Sequence, residues 1–151
     1  MTEPLPPIAE LLPQSGPMCL LHRLLGVDAE RLQAEVDIGP DGLFHRDEGV
    51  GGWVALEYMA QAVAAWAGWQ ARQAGRGPSI GFLLGSRRFR SVDRFLPGQC
   101  LRVEVERLYQ ADNGLGQFDC RVLEGGLTLA QAQITVFGPD DPDRFLKGDM
   151  S

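Results

Sequence analysis

Residues 52–75 read GWVALEYMAQAVAAWAGWQARQAG, and this stretch decides the fold. It lacks proline, is dense in alanine, and stops at Gly75, a residue suited to the end of a helix. The pattern predicts one helix from Gly52 to about Ala74. Through Trp69 apolar side chains cover nearly the whole circumference, and polarity returns only at Gln70, Arg72 and Gln73. Such a helix is buried on most sides, and its alanines allow a surrounding sheet to come close. It carries one carboxylate, Glu57, among Leu56, Tyr58, Met59 and Ala60, with Gln61 four residues on and on the same face. Burial disfavours a charge there unless it is paired, while the helix N-terminus favours the anion. Position alone suits Glu57 equally to a structural, solvent-facing or ion-paired role and to a proton donor.

Outward from the helix, the chain reads as β-structure. Pro4, Pro6 and Pro7 keep the start extended, and Ile8 to Leu12 has room for one helical turn before Pro13. Met18 to Val27 is an apolar strand. Leu32 to Ile38 alternates, with Leu32, Ala34, Val36 and Ile38 on one face and Gln33, Glu35 and Asp37 on the other, the period of a half-buried strand. Gly39 to Gly51 reads as a loop. After the helix and Gly77-Pro78 come strands at Ile80–Val92, Leu101–Leu108, Gln117–Leu123 and Leu127–Phe137. Pro97-Gly98, Asp112-Asn113-Gly114 and Glu124-Gly125-Gly126 are the turns between them. Consecutive hairpins imply an antiparallel sheet, and the one long helix must fill its concave face. The expected class is α+β, one domain spanning 1–151, with a core of about 11–137 and a loose tail over 138–151. An open sheet leaves edges, so edge-to-edge dimerisation is expected.

The composition narrows the function. At 151 residues, 44% hydrophobic and 23% charged, the chain is an ordinary single domain. A formal net charge of −6 argues against a broad nucleic-acid surface. Cys19, Cys100 and Cys120 are too few and too scattered for a disulfide framework or zinc site. They read as reduced, partly buried thiols of a cytoplasmic protein. The N-terminus lacks the pattern of a signal peptide. The apolar stretch Trp53–Trp69 is interrupted by Glu57 and Gln61 and falls short of a membrane span.

Three features near the helix carry chemistry. Gly49, Gly51 and Gly52 leave backbone N–H groups at its start, either a tight turn and cap or a hole for an oxyanion such as an enolising thioester oxygen. His45 lies twelve residues before Glu57 in a polar loop, where a histidine is solvated or serves as a base. His22, in a strand, reads as structural or exposed. Arg87, Arg88, Arg90 and Arg94 crowd into eight residues of an acidic protein, as a solvated face or as an anion dock. Trp53, Trp66 and Trp69 read as core packing.

Three segments carry a family resemblance. LLPQSGPMCLLHRLL (11–25) resembles an opening segment in which a proline-containing turn leads into an apolar strand. GGWVALEYMAQAVAAWAG (51–68) resembles a central-helix motif with a glycine five residues before the acid. GFLLGSRRFRSVDRFLPGQCLRVEVE (81–106) resembles a segment with a basic-aromatic pair and a PG turn before a strand. In this order they resemble the hotdog-fold 3-hydroxyacyl-acyl-carrier-protein dehydratases of the FabZ/FabA type, above all the divergent ApeP-like branch associated with aryl polyene biosynthesis. The resemblance implies a hotdog fold, an antiparallel sheet wrapped around one long central helix, and a homodimer with its active site between subunits. It implies that Glu57 expels the β-hydroxyl as water and His45 removes the α-proton. A glycine amide, Gly52 or its neighbour Gly51, would hold the thioester oxygen, with Gln61 beside the substrate. Arg88 and Arg90 would meet the phosphopantetheine of an acyl carrier protein, and no metal or redox cofactor is required. The chain departs from the usual pattern in the loop His45-Arg46-Asp47-Glu48-Gly49-Val50-Gly51-Gly52. The prolines are absent there and His45 stands closer to the acid; Gln14 stands where many relatives have histidine. The altered loop leaves two alternatives, a hotdog thioesterase and a catalytically weak acyl-binding partner of another dehydratase subunit. A CoA thioester is the alternative substrate form.

Overall fold

The alternation at 31–37 becomes a strand whose burial follows the side-chain period, with Leu32, Ala34 and Val36 inside and the polar residues between them turned outward. The same rule builds the rest of the computed structural model, which describes residues 5–12, 19–39, 45–46, 49–75 and 82–138. His45, Arg46 and Phe82 are described by their backbone alone. The main sheet holds β1 (Arg23–Val27), β2 (Arg31–Asp37), β5 (Phe82–Ser91), β7 (Cys100–Gln110), β8 (Leu115–Glu124) and β9 (Leu127–Phe137). It is antiparallel in the order β1-β2-β7-β8-β9-β5, so β1 and β5 form its edges. The 3-10 turn Ile8–Leu11 agrees with the single turn expected there. The expected tail beyond Gly138 lies outside the described residues.

Two expectations change. β1 starts at Arg23 rather than near Met18. The Leu20 N–H is taken by the Gln61 side chain at 2.8 Å, and main-chain contact with β2 starts only at His22, whose N–H donates to the Glu35 carbonyl. Within the expected loop 39–51 lie β3 (His45–Arg46) and β4 (Gly49–Gly51). These pair with β6 (Arg94–Phe95) in a second sheet, β3-β4-β6. Strands of two or three residues are too short to show a period. They form because Gly49, at φ 118°, lies against the Phe95 carbonyl, where a side chain would collide. This small sheet delivers the chain into a 3-10 turn, Gly52–Val54, and then into α1, Ala55–Gln73. Gly75 follows at φ 76°, as the helix stop requires.

Helix α1 lies on the concave face against β2, β7, β8 and β9, and the Ile8–Leu11 turn packs on it as well. Leu32, Val103, Cys120, Val122 and Ile134 of the sheet meet Met59, Ala62 and Ala65 of the helix in one continuous core. Its C-terminal half is tied to the β1–β2 hairpin. Trp66 Nε1 and Gln70 Nε2 both donate to the Asp28 carbonyl, at 3.1 and 2.9 Å, and the Trp66 ring meets Phe118 edge-on at 5.2 Å. Trp66 is thus core, as expected, and Trp69 is half-buried, whereas Trp53 is 62% exposed and is not. On the outer face, charges alternate in register: Arg31 bonds Glu106 at 2.6 Å and Arg121 bonds Glu104 at 3.2 Å, each pair being direct cross-strand partners. Among the described residues no helix is long and apolar enough to cross a membrane.

Gly68 marks the closest approach. A Cβ there would run into the main-chain carbonyl of Leu11, which cannot move aside as a side chain could. In an isolated helix Gly→Ala gains about 1 kcal/mol. Here we expect Gly68→Ala to lower stability by about 1–3 kcal/mol through overpacking, measurable as a reduced denaturant midpoint.

Candidate active site

Glu57 sits in the first turn of α1, half-buried. The helix is not enclosed all the way round. Tyr58, Met59, Ala62, Val63, Ala65 and Trp66 are buried, while Glu57, Ala60, Ala64 and Ala67 form a half-buried strip along one side. Glu57 therefore lies at the open side of a closed core. Gln61, one turn on, is buried to 1% exposure. Its Nε2 donates to Glu57 Oε1 at 3.1 Å, and its Oε1 accepts the Leu20 N–H at 2.8 Å. Its amide is engaged at both ends inside the core, and it supports the carboxylate. Neighbouring Tyr58 points the other way, its ring 6.0 Å from Phe95, and burial pushes its hydroxyl up to about 12.

The two glycines before the helix have distinct roles. The Gly52 N–H donates to the Asp93 carbonyl at 2.8 Å. A Cβ on Gly52 would strike the Val92 carbonyl and the Ser91 hydroxyl. The Ser91 hydroxyl also reaches the Gly52 carbonyl at 3.2 Å. Gly52 is thus clamped on β6's approach, and its amide is not available to a thioester oxygen, contrary to the expectation. Gly51 pairs with Arg94 in the β4–β6 ladder. Strand alternation turns its N–H away from β6. The Trp53 ring folds against it, where a Cβ would lie 2.5 Å from the indole nitrogen.

His45 enters through the backbone: it pairs with Val50, on the strand leading into α1, and its side chain lies outside the described residues. His22 is exposed, and its Nδ1 accepts the Asp37 N–H at 3.0 Å, a structural role. Arg23 closes the same edge, bonding Glu35 at 2.7 Å and Asp37 at 2.6 Å, and this guanidinium holds the Asp37 carboxyl down at about 2. The cysteines are free. Cys120 is buried, Cys19 half-buried and Cys100 exposed, so Cys100 departs from the expected partial burial. Among the described residues no group of His, Cys, Asp and Glu is placed to hold a metal ion.

The arginine cluster divides between β5 and β6. Arg94 bonds Asp93 at 3.3 Å. Arg87, Arg88 and Arg90 are exposed and have no partner among the described residues. They sit on a bulge: Arg87 opposes Gln133 and Arg90 opposes Gln131, so two residues, Arg88 and Phe89, face Ala132 alone. The bulge puts Arg87 and Arg90 on one face and lets Phe89 pack against the core. Its first residue, Arg88, has φ 56°, a conformation that favours glycine. A recess on the outer face of the sheet, lined by Arg31, Glu104, Glu106, Asp119 and Arg121, lies across the sheet from α1. Most of its charges pair with one another, so it is no rival to the Glu57 site.

The sequence reading missed the Leu20 amide, the Ser91–Asp93 clamp and the bulge. Each depends on a main-chain group, and main-chain groups carry no sequence signal. Comparison with known proteins gives the context. A family model described as ApeP-like, ApeP dehydratase, matches residues 6–147. No curated protein matches the chain. A structure described as the dehydratase heterocomplex ApeI:P from Xenorhabdus doucetiae is similar at 27% identity, with TM-score 0.86, over 95% of this chain and 97% of that one. A hypothetical thioesterase with coenzyme A from Streptococcus pneumoniae is 11% identical, with TM-score 0.62, over 77% of this chain and 84% of that one. Cj0977 from Campylobacter jejuni, a sigma28-regulated virulence protein, is 14% identical, with TM-score 0.62, over 89% of each chain. The last two show the fold alone, and together these likenesses establish the expected hotdog architecture.

Replacing Gln61 by Leu strands the Leu20 N–H without an acceptor. We expect a loss of about 1–3 kcal/mol of folding stability, read from chemical denaturation.

Proposed function

Because the chain belongs to the ApeP-like dehydratase family, we propose that it removes water from a 3-hydroxyacyl thioester to give the 2-enoyl thioester, in assembly of a polyene or fatty acyl chain. The observation that carries this reading is the Glu57 carboxyl at the open side of the helix, anchored by buried Gln61. Glu57 protonates the β-hydroxyl, which leaves as water, while a base takes the α-proton and the Cα–H electron pair becomes the double bond. His45 is the base in this reading. Its backbone position on the strand that leads to the helix supports the assignment. The Gly51 N–H, turned away from β6, takes the oxyanion role that Gly52 cannot. No metal or redox cofactor enters the reaction.

The acyl group arrives on phosphopantetheine, carried by an acyl carrier protein or as a CoA thioester. The guanidinium groups of Arg88 and Arg90, without a partner among the described residues, suit its phosphate and an acidic carrier. The protein works in the cytoplasm beside that carrier. Its β5 edge exposes Leu83 and Leu84 and serves for edge-to-edge pairing, with a second copy or with another dehydratase subunit. The likeness to a chain of a dehydratase heterocomplex favours the unlike subunit. It also keeps a second reading open, in which this chain is the weaker catalytic member of the pair.

Mass spectrometry after incubation with a 3-hydroxyacyl carrier protein tests the proposal. Loss of water is expected, and Glu57→Gln should lower the rate by about 100-fold or more without unfolding the protein. Release of free acid would instead identify a thioesterase. Water loss that appears only with a second subunit, and survives Glu57→Gln in this chain, would establish the partner role. The arginine bulge gives a separate check. We expect Arg88→Gly to be about 1 kcal/mol more stable than Arg88→Ala, because only glycine relieves the left-handed backbone. Both variants should lose the same carrier affinity, measured by titration calorimetry.

A further inference from the structure

Gln61 joins one group of unambiguous hydrogen-bonding character to one that is ambiguous. The Leu20 N–H can only donate, so the Gln61 atom 2.8 Å from it must be the carbonyl oxygen. The other end of the same amide, Nε2, then faces Glu57 Oε1 at 3.1 Å. Flipping the amide would set two donors against each other at Leu20, and Gln61 is too buried, at 1% exposure, for solvent to relieve the clash. The orientation is therefore dictated by chemistry. Nε2 in turn can only donate, so Glu57 Oε1 must accept.

A protonated carboxyl has one carbonyl oxygen, the better acceptor, and one hydroxyl oxygen. We infer that Oε1 is held as the carbonyl oxygen and that the proton of Glu57 is carried on Oε2. This inference rests on the reading of Glu57 as the acid of the dehydration, and it names the reacting atom. The Oε2–H bond breaks and its proton passes to the β-hydroxyl oxygen. The Cβ–O bond breaks with its electron pair leaving in water, and the Cα–H pair closes the double bond as the base takes that proton. Glu57 ends as a carboxylate with its Gln61 bond still on Oε1, so the carboxyl need not rotate between its two states. Gln61 is a positioning residue. Its own anchor is the main chain of Leu20, two residues before the His22 N–H joins β2. The sheet edge thus sets the orientation of an acid on the helix.

The test is infrared difference spectroscopy on the whole protein, with 13C-labelled glutamate and Glu57 protonated. The Glu57 band is assigned by its loss in Glu57→Gln. In Gln61→Met the Glu57 carbonyl stretch should move to higher frequency, because its hydrogen bond is gone. In parallel, kcat should fall about tenfold or more with KM unchanged. A folded Gln61→Met protein with an unmoved carbonyl stretch would overturn the assignment. Should that variant not fold, 15N spectra of the native protein decide. Glu57→Gln should shift the Gln61 side-chain NH2 resonance and leave the Leu20 amide in its hydrogen-bonded position; an unmoved Gln61 resonance overturns the inference. Neither spectroscopic readout needs substrate. A protein that fails to dehydrate but shows both shifts would therefore refute the proposed reaction and leave the positioning role standing.

Discussion

A long helix without a polar face must be enclosed, and most of this structure follows from that constraint. Small side chains let the enclosing layers come to main-chain contact, as Gly68 does with the Leu11 carbonyl. A six-stranded antiparallel sheet supplies the concave wall, and the Ile8–Leu11 turn packs against the helix too. The hairpin carbonyl of Asp28 then locks the C-terminal half through Trp66 and Gln70. What the enclosure leaves open is a narrow strip, and Glu57 stands at its N-terminal end.

The same enclosure makes the environment of Glu57 exacting. A buried amide must satisfy both of its ends. Gln61 does so with a main-chain donor on one side and the carboxyl on the other, and the carboxyl inherits a fixed orientation. The glycines before the helix show the converse. Gly52 looks in sequence like a free amide at a helix start, yet close packing against Val92 and Asp93 consumes its N–H. A motif position can be occupied by the expected residue while its hydrogen bond is used elsewhere.

The bulge in β5 is a local departure from the rules that build the rest of the sheet. Arginine stands where glycine would be comfortable, and three guanidinium groups have no partner among the described residues, where Arg23, Arg31, Arg72 and Arg121 have each found one. Departures of this kind concentrate where a ligand or partner is met. The outer face of β2, β7 and β8 shows the ordinary case, with charges paired across strands in register.

The helix, the long strands and the place of Glu57 on the helix were legible in the sequence because each rests on side-chain pattern: a continuous apolar circumference, period-two alternation, Asn113-Gly114 at a turn, one carboxylate in an apolar run. The α+β class and the chain order of its long elements followed from those patterns alone. Only the tertiary structure decided the small sheet β3-β4-β6, the exposure of Trp53, the spent amide of Gly52, the left-handed Arg88 and the role of Gln61 as a support. The physical reason is common to all five. Each is settled by which group from a distant part of the chain comes within contact or hydrogen-bond distance, and that choice leaves no periodic trace in the residues that make it.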